Sequence, residues 1–242
     1  MIWAMLAAAT APAFLLVLYI YLRDKYQREP FKQLLRGVLF GVVSAVIAIA
    51  IALFFQFVGI APSEANTIGD AFKTAFFSAA IPEEFAKLLM LWLLVRKNPY
   101  FDEYVDGIVY AVAVGMGFAG FENILYVFGS DYCSWIHVAS VRALFSVPGH
   151  YSFAVIMGYY YSYCHFRKGR NYFKYAMVFV APVIFHGLFD ACLMEQSVIK
   201  NDVVAALLVI LFLALFVFFQ IRANKAIKKQ LQRDLSNTDQ VI

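Results

Sequence analysis

The chain has 242 residues, of which 63% are hydrophobic, 18% aromatic and only 15% charged, with a formal net charge of +4. A soluble domain carries about 25% charged and 45–50% apolar residues, so a soluble core of this length is excluded. Disordered tails, disulfide-stapled secreted domains and nucleic-acid binders are excluded with it, because the positive charge follows membrane orientation.

Uncharged runs at Ile2–Leu22, Gly37–Ser63 and Val203–Ile221 each match the roughly 20 apolar residues that cross a bilayer. The whole pattern predicts an all-α, polytopic membrane helix bundle of about seven transmembrane helices, near residues 2–22, 37–60, 73–95, 104–128, 134–164, 175–194 and 203–221. Residues 1–242 read as a single transmembrane domain. A basic cytoplasmic tail over 222–242 is expected to continue as an amphipathic helix along the inner leaflet. The first span has no basic n-region and is followed by Arg23, Lys25 and Arg28, the pattern of an uncleaved anchor. Sixteen of the 20 Lys and Arg residues, Lys168 among them, flank the ends of spans one, three, five and seven. The opposite connections, 61–72, 129–133 and 195–202, contain only Lys200. Positive charge marks the cytoplasmic side, which places the N-terminus outside and the C-terminus inside. Cys133, Cys164 and Cys192 show no metal-binding spacing and read as apolar filling.

The ionisable residues left inside the spans carry the information. Span three holds Glu83, Glu84 and Lys87 behind Pro82. Each charge at mid-helix costs about 2.5–3.5 kcal/mol on translocon scales, so this span needs other helices or a wet cavity to cover it. Glu83 and Lys87 are four apart and pair along one face; Glu84 is turned about 100° away and is expected to point elsewhere. Pro82 removes a backbone donor and is expected to kink or loosen the helix. Span four carries Asp106 near one end, read as structural, and Glu122-Asn123 near the other, with Gly115, Gly117 and Gly120 forming a smooth packing face. Glu122 needs a partner, Lys87 or Arg142. Span five is too long for one straight crossing, so Val147-Pro148-Gly149-His150 is expected to break it and expose His150. In span six, His186 and Asp190 are four apart and share a face. His137 and His165 lie near the membrane surfaces and read as structural. Counted inward from the outer boundary, Glu83, Glu84, Glu122 and His186 lie roughly 10–16 Å deep, with His150 slightly deeper. Four helices therefore place polar residues at one level, which predicts a shared site with catalytic helices inside 73–194.

Two carboxylates and two histidines around a wet pocket suit hydrolysis, with a glutamate taking a proton from water and neighbouring donors stabilising an oxyanion. The same groups suit a divalent metal such as zinc, with Glu83, Glu84, His150 and His186 as its ligands. No HExxH, GxSxG or nucleotide loop is present. A proton- or cation-coupled transporter also places such residues in mid-membrane, and a non-catalytic scaffold would use them for helix packing.

Pro82-Glu83-Glu84-Phe85-Ala86-Lys87, Gly117-Phe118-Ala119-Gly120-Phe121-Glu122-Asn123-Ile124-Leu125-Tyr126, Pro148-Gly149-His150 and Phe185-His186-Gly187-Leu188-Phe189-Asp190 resemble, in order, the motifs of the PrsW intramembrane proteases. The resemblance implies a polytopic protease of the bacterial inner membrane, distantly related to the CAAX prenyl endopeptidases. Such an enzyme cuts single-pass membrane-anchored proteins on or near the extracytoplasmic side. The best-known role in the family is cleavage of an anti-sigma factor that starts a stress response. It also implies that Glu83 and Glu84 activate water with His150 and His186 at the same centre, supported by Lys87, Glu122, Asn123, Arg142 and Asp190. Where CAAX-type relatives commonly carry Asn, this chain has Asp190, which donates a hydrogen bond only when protonated. The family is described both as glutamate-dependent and as metal-dependent, and the resemblance selects neither; glutamate-activated water is the expectation carried forward.

Overall fold

The computed structural model describes residues 1–24, 27–131, 133–167, 169–195 and 198–238, with residues 237 and 238 as backbone alone. Lys25, Lys168 and residues 239–242 of the predicted tail lie outside the described residues. Within them the chain is helical, with no strand. It forms α1 (Ile2–Arg23), α2 (Phe31–Phe57), α3 (Ile68–Lys73), α4 (Ile81–Val95), α5 (Asp106–Gly129), α6 (Trp135–Val141), α7 (Val147–Phe166), α8 (Tyr172–Met194) and α9 (Asp202–Thr238). A π-helical segment over Thr74–Ala80 joins α3 to α4, and a second over Arg142–Ser146 joins α6 to α7. The described residues therefore make seven continuous rods at the predicted positions. Five of them, α1, α2, α5, α8 and α9, are long and apolar enough to cross a membrane. The other two contain the π segments.

Both π segments have the same cause. A proline lacks the N–H that would bond one turn back, and its ring crowds the carbonyl four residues earlier. For Pro82 that carbonyl belongs to Ser78, and for Pro148 to Leu144, each inside a π segment. The wider turn relieves the crowding and keeps other donors bonded: Ile81 N–H reaches Phe76 O and Val147 N–H reaches Arg142 O, both five residues back. The chain at Val147–His150 is thus not broken. The rod continues from Trp135 to Phe166, and His150 is buried rather than exposed.

At the centre stands α5, with seventeen of its 24 residues buried. Its glycines do not form one smooth face, because residues two apart on a helix point in nearly opposite directions. A Cβ on Gly115 would meet Ala154 Cβ of α7 at 2.7 Å, one on Gly117 would meet Val38 O of α2 at 2.1 Å, and one on Gly120 faces Ala13 of α1 at 3.6 Å. Each glycine therefore admits a different neighbour. The α2 crossing is the tightest, since Gly41 faces Val114 O at the same 2.1 Å.

One end of the bundle is tied by polar contacts. Asp234 of α9 accepts from Tyr104 N–H at 2.7 Å and Val105 N–H at 2.9 Å, and Gln230 donates to Tyr159 O and Ser162 Oγ of α7. The segment after Ile221 is therefore the second half of α9, its inner face covered by protein rather than lying free along a leaflet. Asp106 is structural, as expected, and accepts from Asp102 and Glu103 N–H at 2.9 and 2.6 Å. Between α1 and α2, Glu29 accepts from the Tyr110 hydroxyl. Burial pushes the Glu29 carboxyl up to about 7, although the Tyr110 hydrogen bond opposes the shift.

Two outcomes are expected. Gly117→Ala forces α2 off α5 and costs about 1–3 kcal/mol, read as a lowered Tm in detergent; Gly129→Ala, with nothing within 4 Å, is neutral. A carboxyl whose folded value is raised is easiest to bury below its unfolded value, 4.5, and destabilises as pH rises through 7. Glu29→Gln should therefore stabilise the protein by on the order of 1–2 kcal/mol at pH 8 and leave it nearly unchanged at pH 5, as followed by thermal unfolding at the two pH values.

Candidate active site

Pro82 sets the start of α4, and the next turn carries Glu83, Glu84 and Lys87. Lys87 Nζ lies 2.8 Å from Glu84 Oε1 and 3.1 Å from Glu83 Oε2. The two glutamates therefore do not diverge as their 100° separation suggests, because the lysine stem reaches between them. Glu84 is completely buried, while 13% of the Glu83 side chain remains exposed. The ammonium also stacks 3.8 Å over the Phe118 ring of α5, a cation–π contact strengthened by desolvation.

Two histidines close the site from α7 and α8. His150 Nε2 lies 3.0 Å from Glu122 Oε2, and its Nδ1 lies 3.3 Å from Lys87 Nζ. Carboxylates only accept, so His150 donates from Nε2 and turns the Nδ1 lone pair inward. His186 Nε2 is held by Asp190 Oδ2 at 3.2 Å, and its Nδ1 faces Glu84 Oε1 at 2.9 Å. Both rings are thus gripped at Nε2 by an outer carboxylate and present Nδ1 to the centre. Phe153, one turn after His150, stacks on His186 with centroids 4.9 Å apart.

Arg142, in the second π segment, lies 2.5 Å from Glu122 Oε2 and 2.6 Å from Asn123 Oδ1, and covers the Tyr126 ring at 4.0 Å. Asn123 in turn donates to Ala9 O of α1 at 3.1 Å. The partner of Glu122 is therefore Arg142 together with His150. All nine residues singled out in the sequence, Glu83, Glu84, Lys87, Glu122, Asn123, Arg142, His150, His186 and Asp190, belong to one connected polar network. His137 and His165 lie outside it; His165 packs on Phe101 at 4.7 Å.

A cavity of about 550 Å³ adjoins this network, with Glu83, Glu122, Arg142, His150, His186 and Asp190 among its lining residues. Val209, Phe212 and Leu213 of α9 complete its wall. Sequence reasoning did not find the α9 contribution, since nothing distinguishes those residues within a uniformly apolar span. Phe153 was legible in principle, standing three residues from His150 on the same face.

The donor set fits a divalent cation. One atom each from Glu83, Glu84, His150 and His186 lies within 4.8 Å of the others, wider than the roughly 3.4 Å between tetrahedral ligands at about 2.0–2.2 Å from zinc, so the four side chains would draw inward on binding. Glu84 Oε2 is buried with no hydrogen-bond partner, an expensive state for a carboxylate oxygen. Outer carboxylates on both histidines are the arrangement that aims ligating imidazoles. Four carboxylates face only two fixed cations, Lys87 and Arg142, which leaves two negative charges for imidazolium protons or a divalent ion to balance.

Comparison with known proteins gives the same direction. The family described as PrsW family intramembrane metalloprotease matches residues 29–219. A Protease PrsW of Geobacillus kaustophilus is 37% identical over 196 residues, covering 81% of this chain and 82% of its own. A Protease PrsW of Bacillus subtilis is 36% identical, covering 81% and 85%, and one of Clostridioides difficile is 32% identical, covering 78% of each. No solved structure matches. A match over more than three-quarters of the chain, spanning every helix that contributes a side chain to the polar network, assigns the protein to the PrsW family of intramembrane metalloproteases.

Proposed function

We propose that the protein is an intramembrane endopeptidase that hydrolyses peptide bonds of single-pass, membrane-anchored proteins on or near the extracytoplasmic side of the bacterial inner membrane. The observation that carries this reading is the paired grip on His150 and His186, whose inward nitrogens converge with two glutamates beside a cavity. The orientation follows from charge. Arg222, Lys225, Lys228, Lys229 and Arg233 belong to the α9 half tied to the α4–α5 loop, and positive charge favours the cytoplasm. Glu122 and His186 lie toward the other end, seven and eight residues from the last residues of α5 and α8, or about 10–12 Å deep. The N-terminus is then outside, the C-terminus inside, and the second half of α9 is the cytoplasmic tail. An anti-sigma factor of a stress response is the substrate class that the family resemblance implies.

Glu83, Glu84, His150 and His186 would hold the metal. Zinc or another divalent cation bound there supplies Lewis acidity to the scissile carbonyl and to water. Within the chain, the roles divide by access. Glu83 lines the cavity, and its second carboxylate oxygen, the one not offered to the metal, is the base that takes the proton from water and returns it to the leaving amine. Glu84, sealed behind it, holds Lys87 and His186 in place. Glu122 and Asp190 fix the ring orientations, and Arg142 with Asn123 holds Glu122. The unpartnered Glu84 oxygen, and the two carboxylate charges that Lys87 and Arg142 leave unbalanced, favour a metal-assisted form over glutamate-activated water alone.

Purified protein assayed on single-pass substrates tests this. Glu83→Gln should reduce cleavage by about 10²–10⁴-fold and lower Tm less than Glu84→Gln does, since Glu83 is the partly exposed and more distant partner of Lys87. Glu84→Gln should abolish cleavage and also destabilise the fold by about 3–5 kcal/mol, because it leaves a buried Lys87 half-paired. Complete chelation should stop cleavage and added zinc restore it; full activity after verified metal removal would return the reaction to glutamate-activated water alone. Glu122→Gln should weaken zinc retention by about 10–100-fold in equilibrium dialysis, a loss that a purely structural Glu122–Arg142 pair would not produce.

A further inference from the structure

The two halves of α9 are held very differently. Between Asp202 and Phe218, Phe212 is the only buried residue. From Phe219 onward the helix is anchored by buried Phe219, Ala223, Ala226 and Ile227, and by Gln220, which donates to Pro148 O at 2.9 Å. The first half is therefore a rod clamped at one end, and weakly packed elements are those that open with least free energy. That half is also a wall of the cavity beside Glu83.

The rim tells what enters. Val141 precedes the second π segment and Phe145 lies within it, one turn apart, and they line the cavity together with Val209 and Leu213, one turn apart on α9. Val141, Val209 and Leu213 are 41, 41 and 43% exposed. Val209 and Leu213 lie seven and eleven residues from the start of α9, or roughly 10–17 Å into the helix, so their exposed surface meets lipid rather than water. A water-facing mouth would be polar. Across it, the Phe145 ring bridges to Phe212 and Phe216 of α9, with centroids at 5.4 and 5.5 Å. Phe145 sits in a widened turn, a feature that concentrates at functional sites.

We propose that the first half of α9 is a lateral gate, latched by Phe145 against Phe212 and Phe216, through which the apolar transmembrane segment of a substrate enters the cavity from the bilayer. This rests on the proteolytic reading. When α9 swings about its anchor at Phe219 and Gln220, the rim between Val141 and Val209 parts, and the substrate segment replaces the aromatic contacts with its own apolar side chains. The polar floor then meets a peptide bond without exposing Glu83 or His150 to lipid.

The test uses the full chain with Cys133, Cys164 and Cys192 changed to Ala and Phe145→Cys and Phe212→Cys introduced. Reaction with a short bismaleimide closes the gate, while a monofunctional maleimide is the control. The expected result is at least about a tenfold loss of cleavage of a membrane-spanning substrate in reconstituted vesicles, since a closed gate limits turnover. Zinc retention and Tm should match the control. Phe212→Ala alone, which removes the latch, should raise cleavage of the same substrate several-fold. Unchanged cleavage by the tethered protein overturns the gate; so does a loss accompanied by loss of zinc, which would mean that the tether distorts the site. If the Phe212 variants do not fold, a tether between Val141→Cys and Val209→Cys asks the same question at the rim. Failure of the untethered, unsubstituted protein to cleave any spanning substrate would instead count against the proteolytic reading.

Discussion

Lys87 holds two carboxylates of its own helix, at 2.8 and 3.1 Å, where the side chain is almost wholly shielded from solvent. Three charges so placed cannot face hydrocarbon, and one ammonium cannot neutralise two carboxylates. The arrangement of α5, α7 and α8 follows from that imbalance. Phe118 covers the ammonium from α5, His150 offers it a lone pair from α7, and His186 meets the buried glutamate from α8. Each newcomer brings a polar group that needs its own partner, which is why Glu122, Arg142, Asn123 and Asp190 extend the network outward. It ends at a backbone carbonyl, Ala9 O, on the buried face of α1.

Around this network the bundle is built for proximity rather than bulk. The central helix lets α2 approach until only a hydrogen fits at Gly117 and Gly41, and α7 until the same holds at Gly107 and Gly158. In lipid no hydrophobic force drives helices together, so close backbone packing and interhelical hydrogen bonds must do it. Small residues are thus concentrated where the helices carrying the site meet α5, and large aromatic ones where α9 leans on α7 and α8.

Much of this was legible in the residues. Seven rods follow from apolar runs, because the bilayer sets their length, and the nine polar residues stood out because charge is costly there. What could not be read was direction. Helical spacing placed Glu84 away from Glu83, yet a lysine stem spans that angle. Three glycines looked like one face and serve three neighbours. Proline looked like a break, since periodicity carries no sign that a helix can widen by one residue and continue. The contribution of α9 to the cavity was invisible, because Val209, Phe212 and Leu213 differ in no way from lipid-facing residues until the fold places them.

The two widened turns have a consequence for how these helices tolerate change. Each proline and the extra residue upstream of it form a compensating pair: the ring takes one donor out of the ladder, and the longer turn lets the remaining donors reach past the gap. Neither half is dispensable alone. Restoring a donor at Pro82 or Pro148 while keeping the longer turn leaves one residue too many, and shortening the turn while keeping proline restores the clash. If the ladder then closed into ordinary α turns around that extra residue, everything upstream would turn by about 100°, so Val141 would leave the cavity rim although the catalytic turns themselves had not been altered. Only the paired change preserves the register between the outer parts of these rods and the chemistry below them.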